Sequence, residues 1–208
     1  MSTKKKKSTH YLQSDIHNWS SGSGQQIVTF IKSSSRDTNS LWMVQESFDD
    51  NAQNKICLAG TPLKCDQVIR LQHVNTKKYL HSHYHRAMLS GQQEVSGFGE
   101  VKNLKTSSDG SDDWKVICHY QDKDEIARYS NGHKEKFHFW ERNQTVKLLH
   151  VATQKYLSFS PSNVYTESNC PNCPIVGFYE AFARDINMYS GNAVTNVFRI
   201  EDGIHLFE

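Results

Sequence analysis

Two segments of this chain are near-copies of each other, and this internal repeat constrains the fold more than any other feature of the sequence. Residues 69–80 read IRLQHVNTKKYL, and residues 146–157 read VKLLHVATQKYL. Seven of the twelve positions are identical. Such repetition predicts a fold built from similar units, each of which must bury its apolar face against the others.

A third, more divergent copy precedes these two. A Tyr-Leu pair recurs in each copy, at residues 11–12, 79–80 and 156–157. Each pair is followed, after a loop, by an aromatic residue at position 42, 114 or 198. The sequence therefore predicts one domain over residues 1–208, made of three units of about 70 residues each. Their approximate bounds are 8–66, 67–140 and 141–208.

Each unit has the pattern of β-structure. Ile69, Leu71 and His73 alternate with residues of the opposite face, and this period of two predicts a half-buried strand. Three such units suggest a closed barrel, because closure removes exposed sheet edges. We expect an all-β fold, and within that class a β-trefoil: a barrel with threefold pseudosymmetry and a hairpin cap. The predicted core takes one leucine and one aromatic residue from each unit: Leu12, Leu80, Leu157, Trp42, Trp114 and Phe198.

Composition excludes several classes of protein. The formal net charge is +2, which is too small to indicate a nucleic-acid partner. No apolar run approaches the roughly 18 residues of a membrane span. Residues 1–7, MSTKKKK, lack the apolar stretch of a signal peptide and are interpreted as a basic tail or a remnant of cloning.

Three histidines two residues apart, His81, His83 and His85, raise the question of a metal site. They would share one face of a strand and could chelate zinc. The other units do not repeat them, because their positions hold Gln13, Asp15, His17, Ser158, Ser160 and Ser162. Polar hydrogen-bonding groups interchange readily, so a structural role for His81 is favoured. We predict no metal and no cofactor, and keep a histidine metalloenzyme as an alternative.

The Gly-Gln-Gln motif occurs in two units, as Gly24-Gln25-Gln26 and Gly91-Gln92-Gln93. In one interpretation the glycine makes a tight turn and the amides hold the loop. In the other, each motif lines a shallow pocket for a sugar or an extended peptide, since amides both donate and accept hydrogen bonds. The candidate binding residues are Gln25, Gln26, Gln92, Gln93, His81, His83, Trp19 and Tyr84. Unit three carries Cys170-Pro-Asn-Cys173 instead, so a pocket there should be altered or lost.

The remaining reactive residues do not form a recognisable catalytic set. Cys170 and Cys173 have the spacing of a redox motif, but thioredoxin-like chemistry needs a helix N-terminus, so a loop disulfide is predicted. The loop carboxylates Asp109, Asp112 and Asp113 lack the order of a calcium loop and are taken as solvated. Glycosylation acceptor patterns begin at Asn18 and at Asn143. No enzymatic activity is predicted.

The phrases HVNTKKYLHSH (residues 73–83), LSGQQEVSGFGE (89–100) and DDWKVI (112–117) closely resemble MIR domains. These are β-trefoil modules of protein O-mannosyltransferases and of inositol trisphosphate and ryanodine receptors. The chain is most similar to the free-standing stromal cell-derived factor 2 family, whose members consist of three MIR repeats. The resemblance covers nearly the whole sequence.

This resemblance implies a non-catalytic binding module of the endoplasmic reticulum lumen. Its expected partners are chaperones or co-chaperones and their client proteins, and possible ligands include O-mannosyl glycans. The alternative is an acceptor- or carbohydrate-recognising MIR domain of a protein O-mannosyltransferase. A monomer is expected.

The resemblance also implies a disulfide. CLAGTPLKC (residues 57–65) is similar to a paired-cysteine hairpin of the family, which implies a Cys57–Cys65 bond in an oxidising compartment and leaves Cys118 over.

Two features depart from the family. Lysines occupy residues 4–7, where the first strand of unit one should lie, so that strand is expected to be missing, trimmed or poorly filled. The C-terminal GIHLFE is not a lumenal retention signal, so residence in the lumen would depend on a partner.

Overall fold

The computed structural model describes residues 9–33, 37–48, 61–99, 101–102, 105–118, 139–140, 144–185 and 195–200. These ranges contain two 3₁₀ helices, Thr38–Ser40 and Gly110–Asp112. The rest of the regular structure in them is β. The strands are β1 (Thr9–Asn18), β2 (Gln26–Ser33), β3 (Trp42–Glu46), β4 (Val68–His73), β5 (Tyr79–Arg86), β6 (Gln93–Phe98), β7 (Val101–Lys102), β8 (Lys105–Thr106), β9 (Trp114–Cys118), β10 (Thr145–His150), β11 (Lys155–Val164), β12 (Tyr179–Arg184) and β13 (Phe198–Arg199).

Eight strands form a closed barrel. The strands β2, β12, β11, β10, β9, β4, β5 and β6 are hydrogen-bonded in that order, and β6 pairs with β2 to close the circuit. Strands β1, β3 and β13 pair with β2, β4 and β10 respectively. The predicted all-β class is confirmed. None of the helices in the described ranges is long and apolar enough to cross a membrane.

Strands β2, β6 and β12 also pair with one another, through two residue pairs at each contact. The hairpins β1–β2, β5–β6 and β11–β12 therefore meet, and each comes from a different part of the chain. The paired residues are Gln26 with Gly97, Ile27 with Ser96, Gln93 with Ala183, Glu94 with Phe182, Tyr179 with Phe30 and Glu180 with Thr29.

The two sequence repeats fold alike. Strands β4 and β10 both bury every second residue, as the period of two predicts. Leu80, Leu157 and Trp114 are completely buried in the barrel core. Leu12, Trp42 and Phe198 pack against the same cluster but are only partly buried. All six predicted core residues thus lie in or against one core.

A disulfide joins Cys65 to Cys118, so the expected Cys57–Cys65 bond is wrong. Cys65 lies just before β4, and β4 pairs with β9, which ends at Cys118. The backbone N–H of Asp66 donates to the Val116 carbonyl at 2.7 Å, which brings the two Cα atoms to 5.5 Å. Strand pairing, and not closeness in sequence, determines which cysteine bonds to Cys65. Cys118 is therefore paired and is not a free cysteine.

Several expectations fall outside the described residues. These are the first strand and basic tail at residues 1–7, Cys57, the acceptor pattern at Asn143 and the C-terminal segment. The other acceptor, Asn18, is exposed at the end of β1.

Candidate functional site

The two Gly-Gln-Gln motifs end two loops of the same construction, which we call the cap loops: residues 19–25 and residues 87–92. The backbone N–H of Trp19 donates to the Gln25 carbonyl, and that of Ala87 donates to the Gln92 carbonyl, both at 2.8 Å. Gly24 and Gly91 have φ angles of 68° and 66°, in the left-handed region that favours glycine. The predicted glycine turn is therefore present in both units.

The second glutamine of the first motif is buried, and its amide nitrogen makes hydrogen bonds that hold the fold. Gln26 Nε2 donates to Ser14 Oγ at 2.7 Å and to Thr76 Oγ1 at 2.8 Å. The Thr76 hydroxyl contacts His73 Nδ1 at 2.9 Å, and His73 Nε2 donates to the Asn39 carbonyl at 3.0 Å. This chain of hydrogen bonds, the amide relay, connects unit one to unit two.

A second amide relay has the same order of groups. Gln93 Nε2 donates to Ser82 Oγ at 2.7 Å and to Thr153 Oγ1 at 2.9 Å. Thr153 contacts His150 Nδ1 at 2.7 Å, and His150 Nε2 donates to the Ser111 carbonyl at 2.9 Å. Gln26 and Gln93 thus support the interpretation that an amide holds the loop, and both are buried away from solvent.

The relays fix which ring nitrogen carries the proton in the neutral form of each histidine. Nε2 of His73 and of His150 faces a backbone carbonyl and donates to it, so in the neutral ring Nδ1 accepts from the threonine hydroxyl. Burial lowers the pKa of both histidines below the ordinary value of 6.5, although the backbone carbonyls that accept from them act in the opposite direction.

A pH dependence of stability follows from these lowered pKa values. The unfolded chain binds protons near pH 6.5 while the native histidines resist them. The stabilisation is therefore complete above pH 6.5 and is lost as the pH falls toward the folded pKa. We expect the free energy of unfolding, measured in urea, to decrease between about pH 7 and pH 5.

The His73→Gln/His150→Gln double variant should have a smaller decrease over this range. His10, whose pKa is also lowered by burial and by Lys32, leaves part of the slope in place. The exposed His17 provides the control His17→Gln. An unchanged slope in the double variant would contradict this assignment.

Two buried carboxylates attach the cap loops to the next hairpin. Glu94 in β6 accepts hydrogen bonds from Ser23 Oγ and from His83 Nε2, the latter at 3.3 Å. Glu180 in β12 accepts from the backbone N–H groups of Leu89, at 2.5 Å, and Ser90, at 2.7 Å. Each cap loop is therefore held by a carboxylate of the hairpin that follows it along the chain.

Electrostatics keep the first of these carboxylates ionised. Burial alone raises the pKa of Glu94, but the hydrogen bonds from His83 and Ser23, together with the His83 charge, outweigh it and bring the pKa below its usual value. Tyr165 lies beside the second carboxylate, and its pKa shifts upward instead. Burial and the negative charge of Glu180 raise the pKa of the Tyr165 hydroxyl far above its ordinary range.

His81 is buried and has its own carboxylate partner. Its Nδ1 lies 2.8 Å from Asp112 Oδ1 and 3.8 Å from Asp109 Oδ1. The ligand atoms of these three residues lie within 4.8 Å of one another, so they form the group best placed for a cation in the described ranges. Asp112 Oδ2 already accepts from Ser108 Oγ at 2.6 Å and from the Asp109 N–H at 2.9 Å, which is a structural use of this carboxylate.

The expectation that the loop carboxylates are solvated is wrong for two of the three. Asp112 is completely buried and closes a capping box with Asp109 around the 3₁₀ helix Gly110–Asp112. Asp113 is 5% exposed, and its Oδ1 accepts from the backbone N–H of Phe48 at 2.8 Å. This polar segment contains a short 3₁₀ helix, and the carboxylates in it and beside it accept hydrogen bonds from backbone N–H groups.

The three neighbouring histidines become progressively more exposed along β5. The His81 and His83 ring centroids are 5.0 Å apart, and those of His83 and His85 are 4.6 Å apart, so the three rings share one face as predicted. His81 is buried, His83 is half-buried and His85 is exposed. They do not all converge on one point, since His83 turns to Glu94.

Five of the eight candidate binding residues reach the surface. Gln25, Gln92, Trp19 and His83 are half-buried, and Tyr84 is 82% exposed. Gln25 Oε1 accepts from Ser96 Oγ, and within the part of the chain that the structure describes its amide nitrogen has no hydrogen-bond partner. The other three, Gln26, Gln93 and His81, lie underneath and support this surface.

The third hairpin has a different loop. Cys170 and Cys173 form a disulfide, which is the pairing that their spacing predicted. Both cysteines pack against a small apolar cluster of Ile27, Tyr165 and Ile175, to which Trp19, Leu89 and Phe178 also contribute. All three hairpins therefore supply residues to this cluster.

Sequence reasoning missed Glu94 and Glu180, which fasten the cap loops. The available signal was their position: each lies in the strand that follows a loop, one of them directly after Gln93. Charged residues inside an apolar strand indicate a buried partner, because an unpaired charge is costly to bury.

Comparison with known proteins agrees with this architecture. The MIR domain family matches residues 10–130. Human stromal cell-derived factor 2 is 40% identical over 147 residues, which cover 71% of this chain and 57% of the human protein. The matched region therefore spans little more than half the length of that relative. The stromal cell-derived factor 2-like protein of Dictyostelium discoideum is 38% identical over 144 residues, or 69% of this chain and 56% of its own.

Solved structures extend the likeness to nearly the whole chain. The SDF2-like protein of Arabidopsis thaliana superposes with a TM-score of 0.67 at 30% identity, covering 94% of this chain and 87% of its own. The O-mannosyltransferase Pmt1–Pmt2 complex of S. cerevisiae, bound to the sugar donor, gives a TM-score of 0.61 over 92% of this chain and 24% of its own. At 23% identity, it shares the fold alone. The repeat, the paired loops and these matches together place the chain in the stromal cell-derived factor 2-like family of MIR-domain proteins.

Proposed function

We propose that this protein is a non-catalytic binding module of the endoplasmic reticulum lumen that recognises polypeptides or their O-mannosyl glycans in protein quality control, together with chaperones and co-chaperones. The observation that carries the proposal is the pair of cap loops. Each presents a half-buried glutamine above a buried glutamine whose amide nitrogen is hydrogen-bonded to a serine and to a threonine hydroxyl. A loop that is held in place by such hydrogen bonds suits binding, because less conformational freedom is lost when a ligand binds.

The proposed binding surface consists of Trp19, Gln25, Tyr84, Gln92 and His83. Aromatic rings pack on the apolar faces of sugars or on extended peptide, and amides pair with hydroxyl or backbone groups. The family membership supports a binding role. The fold shared with the Pmt1–Pmt2 complex supports the alternative, recognition of an acceptor or carbohydrate beside a mannosyltransferase.

The repeat architecture is part of the same proposal. We infer a β-trefoil of three MIR repeats, with bounds near 8–66, 67–140 and 141–208, acting as a monomer. The mutual pairing of β2, β6 and β12 supports it, because the three contacts involve corresponding residues of each hairpin. The two amide relays join successive units in the same way.

A titration with a serine- and threonine-rich peptide, with and without α-mannose, tests the binding surface. We expect the Gln25→Ala/Gln92→Ala double variant to bind about tenfold more weakly, since each amide supplies hydrogen bonds worth about 1 kcal/mol. Gln72→Ala, an outward-facing glutamine of β4, is the matched control. Equal affinity of the double variant and the wild type would exclude the cap loops.

The same titration separates the two functions. Binding that needs mannose favours the carbohydrate-recognising alternative, and binding of the bare peptide favours the quality-control module. Crosslinking of the full-length protein inside the lumen completes the test. Chaperones should be recovered under the first proposal, and a membrane mannosyltransferase under the alternative.

A further inference from the structure

The Cys170–Cys173 disulfide lies in a setting quite unlike that of the other described disulfide. Both of its cysteines are half-buried in a surface loop, beside the exposed residues Pro171 and Asn172. In the other bond Cys118 is 8% exposed and belongs to the barrel core, while Cys65 is half-buried and packs against that core. A thiolate from solution therefore meets a half-buried cysteine at either end of the Cys170–Cys173 bond, but at only one end of the Cys65–Cys118 bond.

The loop around Cys170 is also held differently from the two cap loops. In those, a carboxylate fastens the loop by hydrogen bonds, through Glu94 and Glu180. The position that corresponds to these acids in the first hairpin is the apolar Ile27, paired with Ser96 as Glu94 is with Phe182. Ile27 lies in the apolar cluster with both cysteines, so packing and the disulfide replace the carboxylate clamp.

A carboxylate of the same loop holds the turn between the two cysteines. Glu167 accepts from the backbone N–H of Asn172, between the two cysteines, at 3.2 Å. The disulfide can be opened by a thiolate that arrives from elsewhere.

We propose that Cys170–Cys173 is a thiol-exchange site that accepts two electrons from a protein dithiol. A partner thiolate attacks one sulfur, the bond between Cys170 and Cys173 breaks, and the departing thiolate takes up a proton. The second thiol of the partner then attacks the mixed disulfide. The products are a disulfide in the partner and two thiols in this chain, so two electrons and two protons have been transferred.

Opening this bond has a structural consequence at Trp19. The indole packs in the same apolar cluster as the cysteines, with its ring centroid 5.9 Å from that of Tyr165. Its Nε1 is buried without a hydrogen-bond partner among the described residues, so the closed arrangement leaves a donor unsatisfied. Trp19 is half-buried while the bond is closed, and release of the loop exposes the buried Nε1 edge of its indole to water. The redox state therefore controls one edge of the first cap loop.

Differential alkylation of the native full-length chain tests the exchange step. After brief treatment with a protein dithiol of the thioredoxin type, Cys170 and Cys173 should be labelled at least about tenfold faster than Cys65 and Cys118. A dithiol partner whose resolving cysteine is replaced by serine should remain attached to this loop as a mixed disulfide. Equal labelling of the two pairs, or labelling only after denaturation, would overturn the proposal.

Tryptophan emission tests the consequence. Reduction should shift the emission to longer wavelength, and Trp19→Phe should abolish the shift. The Cys170→Ser/Cys173→Ser variant should show the shifted emission without any reductant. Its urea midpoint verifies that it is folded. If emission stays unchanged on selective reduction of the folded protein, the loop does not control Trp19. None of these measurements depends on the ligand proposed for the cap loops.

Discussion

Replacement of Trp114 by alanine should lower the free energy of unfolding by roughly 3–5 kcal/mol, the largest effect expected for a single substitution in this protein. The side chain is completely buried, and its Nε1 donates to the Leu80 carbonyl at 2.9 Å. Truncation leaves a cavity in the barrel core and a buried carbonyl without its donor. Urea unfolding followed by far-UV circular dichroism gives the value.

The chain contains a matched control for this substitution. Trp42 occupies the corresponding position in unit one and donates to the Leu12 carbonyl at 3.1 Å, but it is only partly buried. Trp42→Ala should therefore cost distinctly less than Trp114→Ala. Equal losses would mean that the two tryptophans are not distinguished by burial, contrary to the packing described above.

Removal of the Glu180 carboxylate should produce the second large effect. Glu180 is 1% exposed and accepts the backbone N–H groups of Leu89 and Ser90, and hydrogen bonds to a charged acceptor contribute about 1.5–3 kcal/mol each. We expect Glu180→Ala to destabilise the protein by roughly 3 kcal/mol and Glu180→Gln by about half of that, because the amide can accept only one of the two donors.

Amide hydrogen exchange shows which part of the protein loses stability in the Glu180 variants. In Glu180→Gln the amides of Leu89 and Ser90 should exchange faster, while the first cap loop, held by Glu94, keeps its protection. The exposed Glu167 provides the control Glu167→Gln. A loss of protection spread over the whole barrel, with no excess at Leu89 and Ser90, would contradict a local role for Glu180.

The strands and core of the barrel could be predicted from the sequence because the residues that form them recur at regular spacings. Alternation in β4 and β10 gave the strands, and the repeated Tyr-Leu pairs and aromatic positions gave the core. These signals are local or repeated, so they can be recognised in the sequence without knowledge of the long-range strand pairing. The amides of Gln26 and Gln93 were also anticipated as supports of the loops, although the threonine and histidine partners were not.

The long-range pairings could not be predicted in this way. Cys65 reaches Cys118 across 53 residues because β4 pairs with β9, and no local spacing encodes that contact. Asp112 resembles a loop residue until β5 brings His81 to within 2.8 Å of it. Glu180 is likewise explained only when β12 meets the loop of another unit, 90 residues away from Ser90. Tertiary contacts, and not local sequence patterns, determine the partners of these residues.

The most direct test of the binding account is amide hydrogen exchange of the full-length protein with and without a saturating O-mannosylated peptide. Ligand contact at the proposed surface should slow exchange at the amides of residues 19–25 and 87–92, while β4 and β10 on the barrel wall remain unchanged. Bound peptide with protection confined to other parts of the chain would contradict the central claim that the two cap loops form the binding surface.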